Sequence, residues 1–100
     1  MHRYGEATKE FVDTIGNSSR LRILLALWKS GQELRVYRVC CSTGLGRSSA
    51  RRHLNNLVES GLVTKNVYGE IVLYSLNKVN PRLKALVKFF DEAKLSLQML

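Results

Sequence analysis

Proline, cysteine and histidine are scarce in this chain of 100 residues, which has one, two and two of them. Each shortage excludes something. The cysteines, Cys40 and Cys41, are neighbours in sequence, and neighbours do not readily close an unstrained disulfide. A disulfide scaffold is therefore excluded, and small intracellular thiols are expected. Zinc takes about four Cys, His or carboxylate ligands, and His2 and His53 leave too few to assemble a set, so no metal and no cofactor is expected. Long apolar runs are missing as well. The longest is Ile23–Trp28, against the roughly 20 residues that cross a bilayer as a helix. The opening MHRYGEATKE has no apolar signal core. No lipidation motif or lysine-rich amphipathic run points to a membrane surface, and the expected compartment is the cytoplasm. No GxxxxGK[ST] loop, nucleophile–base pairing or pair of carboxylates is evident, so an enzyme is not expected.

Acid is also in short supply, with eight Asp and Glu against sixteen Lys and Arg and a formal net charge of +8. The excess is local. Residues 20–65 hold nine Lys or Arg against Glu33 and Glu59, whereas the rest of the chain holds seven basic and six acidic groups. A polyanionic partner is the simplest reason to concentrate positive charge in this way. The 45% hydrophobic content is enough for the core of one domain. Neither repeats nor linkers divide the chain, which reads as a single unit over residues 1–100.

Apolar periodicity predicts a first helix over residues 4–15, with Phe11, Val12 and Ile15 at helical spacing. Gly16-Asn17 breaks it. A capping residue among Asn17, Ser18 and Ser19 then opens a second helix over 18–30, which stops at Gly31. Residues 32–45 are ambiguous. Leu34, Val36 and Tyr37 favour a strand, yet Val36, Val39, Cys40 and Thr43 also align along a short helix. A short helix over 35–42 is expected, with Gly44-Leu45-Gly46 as the turn into the next.

That next helix, residues 47–60, aligns Ala50, Leu54, Leu57 and Val58 on one side. Ser48, Arg52, Asn55, Asn56 and Glu59 point the other way, with Arg51 on the flank. Guanidiniums and amides are the groups that read guanine and adenine edges in a major groove. Gly61 offers a left-handed stop, and a hairpin follows over 62–76, turning through Tyr68-Gly69-Glu70. Its tip has only Lys65 as a nearby cation. Asn80-Pro81 opens a last helix over 80–100. Leu83, Leu86, Phe90, Ala93, Leu97 and Leu100 keep a 3-4 spacing along it, widened by Val87 and Phe89. Such a stripe suits pairing with a second copy of the chain, with Phe11 and residues 4–15 joining in. The fold class is mainly α with a small β-hairpin. The order helix, turn, recognition helix and hairpin describes a winged helix-turn-helix whose terminal helices form a dimer interface.

Three stretches carry a family resemblance. IGNSSRLRILLAL, ELRVYRVC and SSARRHLNNLVESGLV resemble the corresponding blocks of ArsR-type winged-helix repressors, and the similarity covers about residues 11–76. It implies a dimeric, cytosolic protein that binds double-stranded DNA sequence-specifically. It further implies that Arg47, Ser48, Ser49, Arg51 and Arg52 approach the groove. His53 matches the motif histidine, which either contacts a phosphate or buttresses the helix. The family's metal-binding cysteine pair would fall at positions 35 and 37, which are Arg35 and Tyr37 here. Only Cys40 matches a family cysteine, and residues 80–100 contain no histidine, so metal sensing is not implied. The expected DNA-binding set is Arg47, Ser48, Ser49, Arg51, Arg52, His53, Asn55, Asn56 and Lys65. The expected function is a homodimeric transcription regulator, and no inducer can be named. The alternatives are a DNA-coating architectural protein, separated by the affinity ratio for cognate and random duplexes, and a winged-helix protein–protein module, which would ignore duplex DNA.

Overall fold

The computed structural model describes residues 6–93. Its elements run α1 (Glu6–Ile15), α2 (Ser18–Ser30), α3 (Val36–Thr43), α4 (Arg47–Glu59), β1 (Val63–Tyr68), β2 (Ile71–Leu76) and α5 (Pro81–Glu92). The fold is mainly helical with one two-stranded antiparallel sheet. Leu97 and Leu100 of the expected stripe lie outside the described residues. Among those described, no helix is long and apolar enough to cross a membrane.

The centre of the domain is α2. The Asn17 side chain caps it by accepting from the Arg20 N–H at 3.0 Å. Gly31 ends it at φ 66, a left-handed geometry that suits glycine, with its N–H returned to the Leu27 carbonyl. Between these ends Ile23, Leu24, Leu25, Ala26 and Leu27 are all buried. Five buried residues in succession span more than one face, so the helix needs neighbours on several sides. It touches α1, α3, α4 and β2, and Trp28 near its end stacks at a tilt on Phe90 of α5, ring centroids 5.3 Å apart.

The first helix is rotated from the expected orientation. Phe11 and Ile15 pack against the core and Thr14 is buried, whereas Val12 is 46% exposed.

Residues 32–45 hold both structural options in succession, a bridge and then a helix. Leu34 pairs with Tyr74 through two backbone hydrogen bonds of 2.8 Å, an isolated bridge that adds one residue to the free edge of β2. The chain then turns into α3, one residue later than expected. The hairpin pairs Val63 with Leu76 and Tyr68 with Ile71 at its two ends. Gly69 takes φ 64 in the tight turn between the strands.

The joint between α4 and the hairpin is tied to α5. Gly61, at φ 85, presents its carbonyl to two side-chain amides, Asn77 Nδ2 at 2.8 Å and Asn80 Nδ2 at 3.0 Å. The Asn80 Oδ1 meanwhile caps α5 by accepting from the Arg82 and Leu83 N–H groups, and Pro81 takes the first helical position.

The terminal stripe differs from expectation in its use. Leu83 and Phe90 are each 1% exposed and Leu86 is 9% exposed, all three inside the core cluster of their own domain. They are therefore not a seam open to a second copy. Helical spacing marks one apolar side of a helix but does not say whose core receives it. Exposed apolar residues of α5 are instead Phe89, at 59%, and Ala85, with Ala93 exposed at its C-cap. Phe90→Ala should therefore cost about 3–5 kcal/mol of stability, read as a lower urea midpoint, rather than yield a well-folded monomer. An unchanged midpoint would contradict this packing.

His53 is buried on the inner side of α4. Its Nδ1 accepts from Arg20 Nε at 3.4 Å, which requires the neutral ring at that nitrogen. Burial, then the charges of Arg20 and Arg52, hold its pKa below the ordinary 6.5. As pH falls through 6.5 the unfolded chain takes up this proton before the folded one. Stability is then lost between 6.5 and the lower native value. The urea midpoint should fall on acidification from about pH 7 to 5, and His53→Gln should remove part of that slope. Identical slopes would show that His53 contributes nothing to it.

Candidate nucleic-acid interface

The helix-turn-helix geometry starts at the end of α3. Thr43 donates from Oγ1 to the Val39 carbonyl at 2.7 Å and accepts from the Leu45 N–H at 3.3 Å. Gly44 takes φ 79 and returns its N–H to the Cys40 carbonyl. Gly46, by contrast, sits at φ −71 in ordinary extended backbone, so only the first of these two turn glycines meets a left-handed requirement. Arg22 of α2 donates to the Thr43 carbonyl at 3.2 Å, satisfying one of the acceptors that a helix end leaves open.

On α4 the inward side is Ala50, His53, Leu54 and Leu57, all buried. The helix packs on α2, α3 and β1. This leaves Arg47, Ser48, Arg51, Arg52, Asn55 and Glu59 exposed and Ser49 half-buried. Arg52 Nη2 lies 3.4 Å from Ser49 Oγ, a long contact that leaves most of the guanidinium's donors available. Exposed on the preceding α3 are Tyr37 and Arg38, with Arg35 exposed at its N-cap. Both arginines belong to the basic excess of residues 20–65 but not to the expected site residues. Their signal lay in the same density of basic residues. Among the described residues no carboxylate pairs with Arg35, Arg38 or any arginine of α4, so this positive charge is not neutralised locally.

Two expected site residues are placed differently. His53 is 8% exposed and faces Arg20, so it buttresses α4 against α2 and is not presented to a phosphate. Asn56 is half-buried, with Oδ1 inside and without a hydrogen-bond partner, so its amide is not freely displayed. A fixed 3.6-residue period put it on the outer face, but it falls at the boundary, where the neighbouring elements decide burial.

Lys65 is exposed on β1. The tip beyond it shows Val67, Tyr68 and Ile71 to solvent, with Glu70 and no arginine. Glu33, just before α3, holds this hairpin. It accepts from Tyr68 Oη at 3.0 Å, and from Asn66 Nδ2, which also reaches Ser75 Oγ at 3.2 Å. The Glu33 carboxylate, as hydrogen-bond acceptor and as nearby charge, raises the Tyr68 pKa above 10. Among the described residues no three or more Cys, His, Asp or Glu come together as a metal site.

Residues 17–65 match the family described as bacterial regulatory protein, arsR family. No curated protein matches the chain. Solved structures do. The chain is 30% identical to the transcriptional regulator HlyU from Vibrio vulnificus CMCP6, with 88% of each chain covered and a TM-score of 0.73. It is 25% identical to HlyU from Vibrio cholerae N16961, covering 93% of this chain and 97% of that one, with a TM-score of 0.75. The fold also matches the homodimeric winged helix-turn-helix DNA-binding domain of Mb0332 from Mycobacterium bovis, 24% identical, with 96% and 94% covered and a TM-score of 0.69. A helix-turn-helix with an exposed basic second helix, a hairpin wing and these likenesses agree, and the chain belongs to the arsR family of bacterial regulatory proteins.

Proposed function

We propose that this ArsR-family protein is a cytoplasmic, homodimeric transcription regulator that binds double-stranded DNA sequence-specifically with α4 in the major groove. The observation that carries this reading is the outer face of α4, where Arg47, Arg51, Arg52 and Asn55 are exposed above a buried apolar side. Arg51, Arg52 and Asn55 have the donors and acceptors for base edges. Ser48, Ser49, Arg47, Arg35 and Arg38 suit phosphates, whose contacts position the protein and supply affinity. Lys65 gives the wing one phosphate contact. No catalytic role is assigned.

The second copy belongs on the surface of α1 and α5 that the core leaves open. Val12 of α1 and Phe89 of α5 are exposed at 46% and 59%, and the Arg82 guanidinium of α5 lies 5.7 Å from the centre of the Phe11 ring of α1. A two-fold pairing across this surface is isologous and presents two α4 helices to one duplex. The site should then be an inverted repeat with half-site centres about 10 base pairs apart, or a multiple of that.

Selection from a random duplex pool tests the reading directly. A single enriched inverted repeat is expected, whereas uniform recovery would point to an architectural protein and no recovery to a protein–protein module. Arg52→Ala should weaken binding to the selected site by about 1–3 kcal/mol and leave thermal stability unchanged, because the side chain is exposed. Affinity should fall steeply with salt as counterions are released. Wild-type affinity in the variant would remove Arg52 from the interface.

Phe89→Asp should keep its helix content but give monomers by light scattering at micromolar concentration, where the wild type is a dimer, with the melting temperature lowered by the lost association. A dimeric variant would place the interface elsewhere.

A further inference from the structure

The elements that hold α4 in place also form a cleft of about 680 Å³, lined by α2, β2, α5 and the segment after α2. No residue of α3 or α4 lines it, so it is separate from the DNA-facing surface, and the exposed Val12 and Phe89 are not in its lining. Leu27 and Leu83 are buried at its floor, and Trp28, Leu76 and Val87 are half-buried in its walls. Lys78 and Lys84 are exposed at its rim. Among the described residues neither lysine has a carboxylate partner. The one acid in the lining, Glu33, is turned to the hairpin, where its oxygens accept from Tyr68 and Asn66. The cleft thus combines an apolar floor with two ammonium groups that no carboxylate among the described residues contacts, against the single charge of Glu33. Sites for small organic ligands are commonly concavities of about 300–1,000 Å³, mostly apolar with a few polar groups that fix orientation.

We propose that this cleft binds an amphipathic organic anion, an apolar body ending in a carboxylate. The body lies on Leu27, Trp28, Leu83 and Val87, and Lys78 and Lys84 hold the carboxylate. The headgroup follows from the charge of the rim. A cationic amphiphile would meet two ammonium groups, and a neutral one would leave them unused. Lysine suits this role as a compact charge on a flexible stem that does not demand a fixed bidentate geometry.

Trp28 is the only tryptophan, so its emission reports the cleft without a label. The full chain is titrated below micelle formation with decanoate and, separately, with decyltrimethylammonium. Decanoate should change Trp28 emission saturably at one site per chain, and the cation should bind about tenfold more weakly or worse. Lys78→Gln with Lys84→Gln should weaken decanoate by about tenfold or more, as expected for loss of a charge-assisted contact, at an unchanged melting temperature. Equal binding of the two amphiphiles, or unaltered decanoate affinity in the double variant, overturns the proposal. So does an emission change that follows protein concentration with no response to decanoate, since a second copy would then fill the cleft. Phosphatidylglycerol vesicles should leave Trp28 unchanged, and a response to vesicles alone would mean a membrane contact instead. None of these readings involves DNA, so they stand or fall separately from duplex binding.

Discussion

Five consecutive residues of α2, Ile23 to Leu27, are buried, and a helix in that position has to be packed from several directions at once. Full burial of a leucine or isoleucine side chain contributes about 1.5–3 kcal/mol, whereas an exposed ion pair contributes about 0–1 kcal/mol. The orientation of α4 is therefore set by what it gives to α2 and β1. Ala50, Leu54 and Leu57 go inward, and the arginines are left outside as the remainder of that choice. The same packing makes His53 a part of the core and keeps its ring neutral beside Arg20.

A second set of contacts is polar and sits at the joints. The Gly61 carbonyl with its two asparagine amides fixes where α4 ends, where the hairpin starts and where α5 begins. Glu33 and Leu34 hold the hairpin from the other edge, one through its carboxylate and one through backbone hydrogen bonds. The wing thus stands at a defined position beside α4 although its tip carries little charge. Because the segment after α2 both borders the cleft and holds the hairpin, an occupant there would touch the supports of the wing without touching α4.

The terminal helix shows how one periodic pattern serves two uses. Leu83, Leu86 and Phe90 close the floor of their own domain, while Phe89, one position away, remains outside. The 3-4 spacing is the same whether an apolar stripe meets its own chain or another. Tyr74 and Leu34 present a similar case. The strand preference at Leu34 is local, but its partner lies far along the chain and is brought there by the hairpin.

Much of the fold was legible because local chemistry dictates it. Asn17, Gly31, Gly44, Gly61 and Asn80-Pro81 are terminators and caps whose effect depends on nearest neighbours, and the apolar periods of α2 and α4 need no distant partner to be read. The concentration of basic residues in 20–65 and the outward guanidiniums of α4 are likewise properties of composition and helix geometry. What only the tertiary structure decided are the matters of sidedness and company. These are the rotation of α1 that exposes Val12, the half-burial of Asn56, the withdrawal of His53 into the core, the use of Leu83, Leu86 and Phe90, and the cleft beside Trp28. Each depends on which surfaces meet across long sequence separations, and burial is a property of the neighbours that arrive, which the residue itself does not encode.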